Sequence, residues 1–163
     1  MGILDSFRLD GQVAVVTGAG KGIGRAAQNG ENEVLQALWD GVRETVRFKE
    51  DERLVEQGID GRELLISPEV LLQMRQPMGD CDDFSMLVAS ILKIWSYQPM
   101  FVTAAANLDY PNVYSHVWVR VQMRTTGEWL DIDASHGPYL GWNVLDTPVF
   151  AGMQHPLITE WAV

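Results

Sequence analysis

Apolar positions at helical spacing dominate the chain from about residue 30 to about residue 95, ahead of the strand patterns of the second half. The stretch "QNGENEVLQALWDGVRETVRFKEDE" carries one apolar stripe and is predicted to be helical throughout. A second helix is predicted in "ISPEVLLQMRQ", where Ser67 can cap the first turn and Pro68 suits its start. A third begins near Cys81 and places one face of "DFSMLVASILKIW" in the core. The stripe of the first helix consists of Val34, Leu35, Leu38, Trp39, Val42 and Val46.

The second half of the chain changes to the two-residue period of strands. "PMFVTAAA" has the character of a buried strand, "SHVWVRVQM" alternates cleanly, and "EWLDID" predicts a further strand after the turn "RTTG". The tail from Pro138, which includes Pro148 and Pro156, is predicted to be irregular. Helices followed by antiparallel strands indicate an α+β fold.

Composition narrows the classes of function. The 163 residues fit one domain, and the net charge of −10 argues against a nucleic-acid partner because an acidic surface repels phosphates. We find no apolar run of about 20 residues and no secretory signal, so we expect a cytoplasmic protein without a membrane span. The single cysteine excludes an internal disulfide. No metal is expected, because the acidic cluster around Cys81 lacks the glycine and spacing of a calcium loop.

The N-terminal stretch "LDGQVAVVTGAGKGIGRAA" differs in character from everything after it. It resembles the opening of the short-chain dehydrogenase/reductase family, and by that resemblance Gly18, Gly22 and Gly24 would approach the pyrophosphate of NAD(P). The second strand and the Tyr-x-x-x-Lys pair of that family do not follow. We therefore expect residues 1–27 to be a fused fragment that binds no dinucleotide. This fragment is expected either to be poorly ordered or to dock on a sheet edge or on another copy of the chain. Residues 28–163 form the main domain.

The environment of Cys81 contains opposing influences on its thiol. The neighbouring carboxylates in "GDCDDF" disfavour a thiolate, whereas the N-terminus of a helix favours one. Asp82 and Asp83 are predicted to cap backbone donors of the first turn instead of facing the sulfur. A nearby imidazolium would complete the activation of the thiol.

The hairpin after Cys81 supplies a candidate imidazole. With an even loop centred on Arg124 and Thr125, the hairpin pairs Arg120 with Trp129, Trp118 with Asp131, and His116 with Asp133. Directly opposed residues share a face and approach each other within about 5 Å at Cβ. His116 is therefore expected to contact Asp133, with Asp131, on the same face, as the alternative. His136 follows in a loop, where it could line the cleft but is expected to be solvated.

Three motifs in order resemble the transglutaminase-like superfamily of papain-type thiol enzymes. They are "GDCDDFSMLVASIL", "SHVWVRV" and "GEWLDIDAS", and the resemblance spans roughly residues 31–142. It implies a papain-like core in which a helix bearing the cysteine packs on an antiparallel sheet bearing histidine and aspartate. Carried over, it makes Cys81 the nucleophile, His116 the base and Asp133 the orienting carboxylate. The chain has Arg120 where many members are acidic, and "AS" after Asp133 where many have Pro-Thr.

The resulting expectation is thiol-dependent acyl transfer at an amide bond of a peptide or protein. The backbone N–H of Cys81 and a second donor, Gln73 or Gln76, would bind the oxyanion. Water as acceptor would give a peptidase or amidase, and an amine would give a transglutaminase-type enzyme. A catalytically inactive interaction module of the same fold, and an NAD(P)-binding oxidoreductase fragment, are the alternatives.

Overall fold

The computed structural model describes residues 30–50, 65–106, 109, 111–148 and 157–163. The predictions for residues 1–27 lie outside these ranges. In chain order the elements are α1 (Glu31–Thr45), β1 (Arg47–Phe48), α2 (Pro68–Gln73), β2 (Met78–Gly79), α3 (Cys81–Ile94), β3 (Met100–Ala104), β4 (His116–Gln122), β5 (Trp129–Ile132), a 3₁₀ turn (Val144–Asp146) and β6 (Ile158–Ala162).

Helix α1 buries four residues of the predicted stripe, Leu35, Leu38, Trp39 and Val42, but is shorter than the pattern indicated. It ends at Thr45, and Val46 is extended. The next two residues form β1, which pairs in parallel with β2 through the partners Arg47–Met78 and Phe48–Gly79. The prediction that the helix continues past Thr45 was therefore wrong for residues 46–50. The backbone of β1 forms hydrogen bonds to β2 instead of another helical turn. Because β2 directly precedes α3, this pairing places β1 beside the start of α3.

Helices α2 and α3 begin at the residues that the capping pattern indicated. The Ser67 side chain accepts a hydrogen bond from the N–H of Val70, with Pro68 in the first turn. Helix α3 is buried on nearly every side, because α1 and α2 contact it from one direction and the sheet contacts it from the other. A helix enclosed in this way keeps its N-terminal residue in a fixed position relative to the sheet.

The main sheet has four antiparallel strands in the order β5-β4-β3-β6. Three of them were predicted, but β6 was not, since the tail was expected to be irregular. Strand β6 pairs along the whole of β3, from Ala104–Ile158 to Met100–Ala162. Its alternation of exposed and half-buried residues gives it an inner face that packs on the core.

The hairpin of β4 and β5 has a register two residues away from the predicted one. Arg120 pairs with Asp131 and Gln122 with Trp129, so the pairs Arg120–Trp129 and Trp118–Asp131 were wrong. The loop comprises residues 124–127, is closed by hydrogen bonds of Met123 to Glu128 and Gly127, and has Gly127 at φ 74°. A shift by two residues keeps every side chain on its predicted face.

Both faces of the sheet are covered, which gives a mixed helix and strand architecture consistent with α+β. One face packs against α1 and α3 in the larger core, and the other carries a small cluster around Trp118, covered by the 3₁₀ turn through Val144 and Leu145. Within the described part of the chain, no helix combines the length and apolarity that crossing a membrane requires.

Glu31 joins the start of α1 to the hairpin loop and should make stability depend on acid pH. Its carboxylate accepts hydrogen bonds from Tyr97 Oη (2.6 Å), the N–H groups of Arg124 and Thr125 (2.8 Å each) and Thr125 Oγ1 (2.6 Å). Burial acts to raise the pKa of Glu31, but these bonds outweigh it and lower the pKa from 4.5 to about 2. A depressed carboxyl pKa stabilises the fold above the unfolded value, and that contribution is lost as pH falls from 4.5 toward about 2.

We expect Glu31→Gln to lower the free energy of unfolding at neutral pH by about 1 kcal/mol, because the site is partly solvated. The difference from the natural chain should shrink as pH falls through this window, as measured by urea unfolding at a series of pH values. Glu33→Gln, an exposed change in the same helical turn, is the control and should show no such dependence. A pH-independent difference for Glu31→Gln would contradict the assignment.

Candidate active site

Cys81 is the first residue of α3, and its position is set by the cap of that helix. Asp80 is the N-cap, and a reciprocal capping box links it to Asp83, whose Oδ2 accepts from the Asp80 N–H at 3.3 Å. Asp83 Oδ1 also accepts from the N–H of Ile66 at 2.8 Å. The prediction that Asp83 caps backbone donors is thereby confirmed.

Gly79 is the residue that lets this cap form. A Cβ at position 79 would overlap the carboxylate of Asp83. Asp83 is fully buried and cannot move aside without losing its bonds to the backbone. Glycine in "GDCDDF" therefore serves the close packing of β2 against the start of the helix.

Asp82, directly after the cysteine, is a buried carboxyl that stays protonated. Only 7% of its surface is exposed, and Oδ1 accepts from the N–H of Asp83 at 2.7 Å. Burial, a hydrogen bond to Asp80 and the charges of Asp80 and Asp83 raise the pKa of Asp82 to about 9. Its Oδ2 has no hydrogen-bond partner among the described residues.

The raised pKa makes Asp82 a cost to stability at neutral pH. A carboxyl whose folded pKa is raised favours the fold fully below its unfolded value of 3.8, and that contribution is lost as pH rises toward about 9. We expect Asp82→Asn, which needs no proton, to raise the free energy of unfolding at pH 7–9 by on the order of 1 kcal/mol. The advantage should vanish below about pH 4, as measured by thermal unfolding across pH. A neutral or destabilising effect at pH 8 would show that Asp82 is ionised in the fold.

His116 and Asp133 form a buried pair at the edge where β4 begins and β5 ends. His116 Nε2 lies 2.7 Å from Asp133 Oδ2, and the two residues are 8% and 3% exposed. Continuing the observed register places Asp133 opposite Trp118, so His116 is its diagonal neighbour and not its direct partner. The predicted contact is present, although it arises from a different register.

The carboxylate of Asp133 is held from both sides. Its Oδ1 accepts from Ser135 N (3.0 Å), Ser135 Oγ (2.8 Å) and His136 N (2.9 Å), while Oδ2 faces His116. Burial acts to raise the pKa of Asp133, but the hydrogen bond and charge of His116, with the other donors, hold it below its usual value. An ionised Asp133 requires a proton on His116 Nε2, which leaves Nδ1 as the nitrogen able to accept one.

Ser85 connects the cysteine helix to the histidine strand. Its hydroxyl lies 2.7 Å from the carbonyl oxygen of Cys81 and 3.1 Å from that of Val117, the residue after His116. One side chain therefore contacts the backbone beside both predicted reactive groups. The start of α3 and the start of β4 are thus held at the same place in the fold.

Asp131, the alternative orienting residue, accepts hydrogen bonds from side chains other than His116. Its oxygens accept from Arg120 in a bidentate pair (2.7 and 3.0 Å), from Trp118 Nε1 (2.8 Å) and from Asn143 Nδ2 (2.9 Å). Arg120, which departs from the family pattern, also pairs with Glu160 of β6 at 2.5 Å. Asp131 therefore joins strands to one another, and Asp133 is the carboxylate that meets His116.

The remaining predicted site residues are placed as follows. Gln73 is exposed at the end of α2, with its amide 3.4 Å from Glu69 of the same helix, and Gln76 is exposed in the following loop. Neither position tests the prediction that one of them contributes to an oxyanion site. Gly18, Gly22 and Gly24 lie outside the described residues.

His136 is a component that the sequence did not assign. It is exposed, as expected, but its ring lies 4.9 Å from that of His116 and 4.5 Å from that of Phe48, nearly perpendicular to both. Its Nδ1 is 3.0 Å from Ser135 Oγ. The only sequence signal was its position three residues after Asp133.

Among the described residues, two groups of side chains have the composition of metal ligands. His116, Asp133 and His136 offer ligand atoms within 4.8 Å of one another, as do Asp80, Asp82 and Asp83. In the first group His116 and Asp133 already bond to each other, and the second lies at a helix N-terminus, where the dipole opposes a cation. Hydrogen bonding accounts for both arrangements.

Comparisons with known proteins show distant similarity to solved structures alone. No protein-family model matches the chain, and no curated protein matches it. Among solved structures the chain is similar to one described as "Crystal structure of a TGase", with 15% sequence identity and a TM-score of 0.46. The match covers 82% of this chain and 36% of the other, so the chain spans little more than a third of that protein.

Proposed function

We propose that the protein catalyses thiol-dependent acyl transfer at amide bonds, with Cys81 as nucleophile, His116 as base and Asp133 as the residue that orients the base. The observation that carries this proposal is the buried hydrogen bond between His116 and Asp133. Ser85 connects the strand that bears His116 to the start of α3, where Cys81 lies. A nucleophile, a base and a third group that orients the base are the components of covalent catalysis.

The tautomer defines the proton path of the proposed reaction. With its Nε2–H donated to Asp133, His116 takes the thiol proton on Nδ1, and the sulfur attacks the carbonyl carbon of the amide. The carbonyl electrons move onto oxygen, and the backbone N–H of Cys81 stabilises that charge with one further donor. When the electrons return, the carbon–nitrogen bond breaks, the amine leaves with the proton from Nδ1, and a thioester remains on Cys81.

The second half of the reaction resolves the thioester. His116 Nδ1 removes a proton from water or from an amine, which attacks the thioester carbonyl. The bond to sulfur breaks and the thiolate returns. Water yields a carboxylic acid and makes the protein a peptidase or amidase, whereas an amine yields a new amide.

The proposal is tested by the reactivity of the thiol in the natural chain. A free thiol is almost entirely protonated at about pH 6 and alkylates slowly, whereas a thiolate paired with an imidazolium reacts quickly. We expect iodoacetamide to modify Cys81 at about pH 6 at least ten times faster than it modifies the same chain unfolded in urea. Incubation with p-nitrophenyl acetate should leave an acetyl group on Cys81, detectable by intact mass. Alkylation no faster than in the unfolded chain, with no acetyl adduct, would support the inactive interaction module instead.

A further inference from the structure

The loop that carries His136 is fixed along its backbone. The His136 N–H donates to Asp133 Oδ1, and a Cβ at Gly137 would lie 2.5 Å from the carbonyl oxygen of Asp133. Arg43 of α1 donates to the carbonyl oxygens of Ala134 (3.3 Å) and Gly137 (2.8 Å). The exposed ring of His136 therefore projects from a turn whose backbone is held by hydrogen bonds to Asp133 and Arg43.

This ring completes an aromatic enclosure around His116. Trp118 stacks on His116 with a centroid separation of 5.8 Å and an interplanar angle of 24°, and His136 stands nearly perpendicular at 4.9 Å. Phe48 supports His136 at 4.5 Å and itself contacts Phe84 of α3 at 6.4 Å. His136 and Phe48 are both exposed, and Phe48 is linked to His116 through its contact with His136.

We propose that His136 is a positioning residue whose ring holds the His116 imidazole against Asp133, with Nδ1 directed to the thiol of Cys81. This inference rests on the proposed function and adds a residue to it. A histidine released from Asp133 by rotation of its side chain would lose the tautomer that leaves Nδ1 free for the thiol proton. A ring that blocks the rotation therefore acts on the rate of reaction and not on the fold.

The charges around His136 are compatible with a packing role. Partial burial and the charge of His116 lower the pKa of His136, with a smaller contribution from Arg43, while Asp133 and Glu50 act in the opposite direction. A neutral ring can approach the imidazolium form of His116 without repelling it. The role accordingly requires the shape of the ring, and neither of its nitrogens has to exchange a proton.

Two substitutions at position 136 separate shape from proton chemistry. His136→Ala removes the ring, and His136→Phe keeps a ring without titratable nitrogens. We expect His136→Ala to lower the alkylation rate of Cys81 at about pH 6, and kcat for p-nitrophenyl acetate, about tenfold with little change in KM. His136→Phe should retain most of both rates. Tyr139→Ala, which removes an exposed ring from the same connection, is the control and should react like the natural chain.

The outcomes distinguish this inference from the proposed function. A natural chain with an unreactive thiol would overturn the proposed function, and this inference with it. A reactive natural chain whose rates are unchanged in His136→Ala would overturn this inference alone. His136→Phe as slow as His136→Ala would also overturn it, because a nitrogen of His136 would then be required. Thermal unfolding of each variant ensures that only folded proteins are compared.

Discussion

The Cys81→Ala protein should fold like the natural chain and transfer no acyl group above the background reaction. The thiol is the only group in the proposed reaction that forms the covalent intermediate, and its loss in a nucleophilic enzyme typically costs a factor of about 10⁴ or more. The stability cost should be small, since Cys81 is only partly buried at the first position of α3 and alanine keeps the backbone conformation. Release of p-nitrophenol and thermal unfolding measure the two quantities on the same sample.

Ser85→Ala is a matched comparison for this change. It removes the hydroxyl that contacts the carbonyl oxygens of Cys81 and Val117 but leaves the thiol in place. We expect reduced activity together with reduced stability, a combination that Cys81→Ala should not show. Acyl transfer that persists in Cys81→Ala would mean that another residue is the nucleophile.

The second large effect is expected at Asp133. In Asp133→Asn the side-chain amide can donate to Nε2 of His116, which would place the histidine proton on Nδ1 and remove the base. An aspartate-to-asparagine change that imposes the wrong tautomer in this way lowers kcat by about 10⁴ in a well-studied serine protease triad. We expect a loss of about 10³–10⁴ here, with the fold retained because asparagine can still accept from Ser135 and His136.

Asp131→Asn is the control, since it makes the same chemical change two residues earlier in the chain. It weakens the charged pair with Arg120 and the bond to Trp118, so it should lower the unfolding temperature while the folded protein keeps its rate. Kinetics below the unfolding temperature of both variants provide the measurement. The reverse result, a slow Asp131→Asn and an unaffected Asp133→Asn, would transfer the orienting role to Asp131.

The sequence could predict that the side chains of His116 and Asp133 lie on the same face of the hairpin, but not the register that pairs the two strands. An even loop places both side chains on one face, and that much follows from the two-residue period of a strand. Two even loops, centred one residue apart, are both compatible with "RTTG". The difference between them depends on Gly127, which adopts the positive φ that closes the longer loop. The contact between His116 and Asp133 forms in spite of the error in register, because the two side chains are long enough to meet as diagonal neighbours.

Elements too short to show a hydrophobic period could not be predicted from the sequence. The two-residue strands β1 and β2 form because distant segments meet beside Cys81, and nothing local in "RF" or "MG" distinguishes them from a loop. Strand β6 did have a signal, the alternation in "ITEWA", but the prolines before it outweighed that signal. The protonation of Asp82 depends on burial and on Asp80 together, which only the folded arrangement reveals.

The position of β6 affects how the chain is made. Strand β3, with Phe101 and Val102 buried, has β4 on one side and β6, Ile158–Ala162, which comes later in the chain, on the other. On the ribosome β3 and β4 emerge before β6 does, so one edge of β3 is still unpaired in the nascent chain. Such an edge recruits other strands. Chains truncated before Ile158 should therefore be prone to aggregation and become substrates for chaperones and proteases.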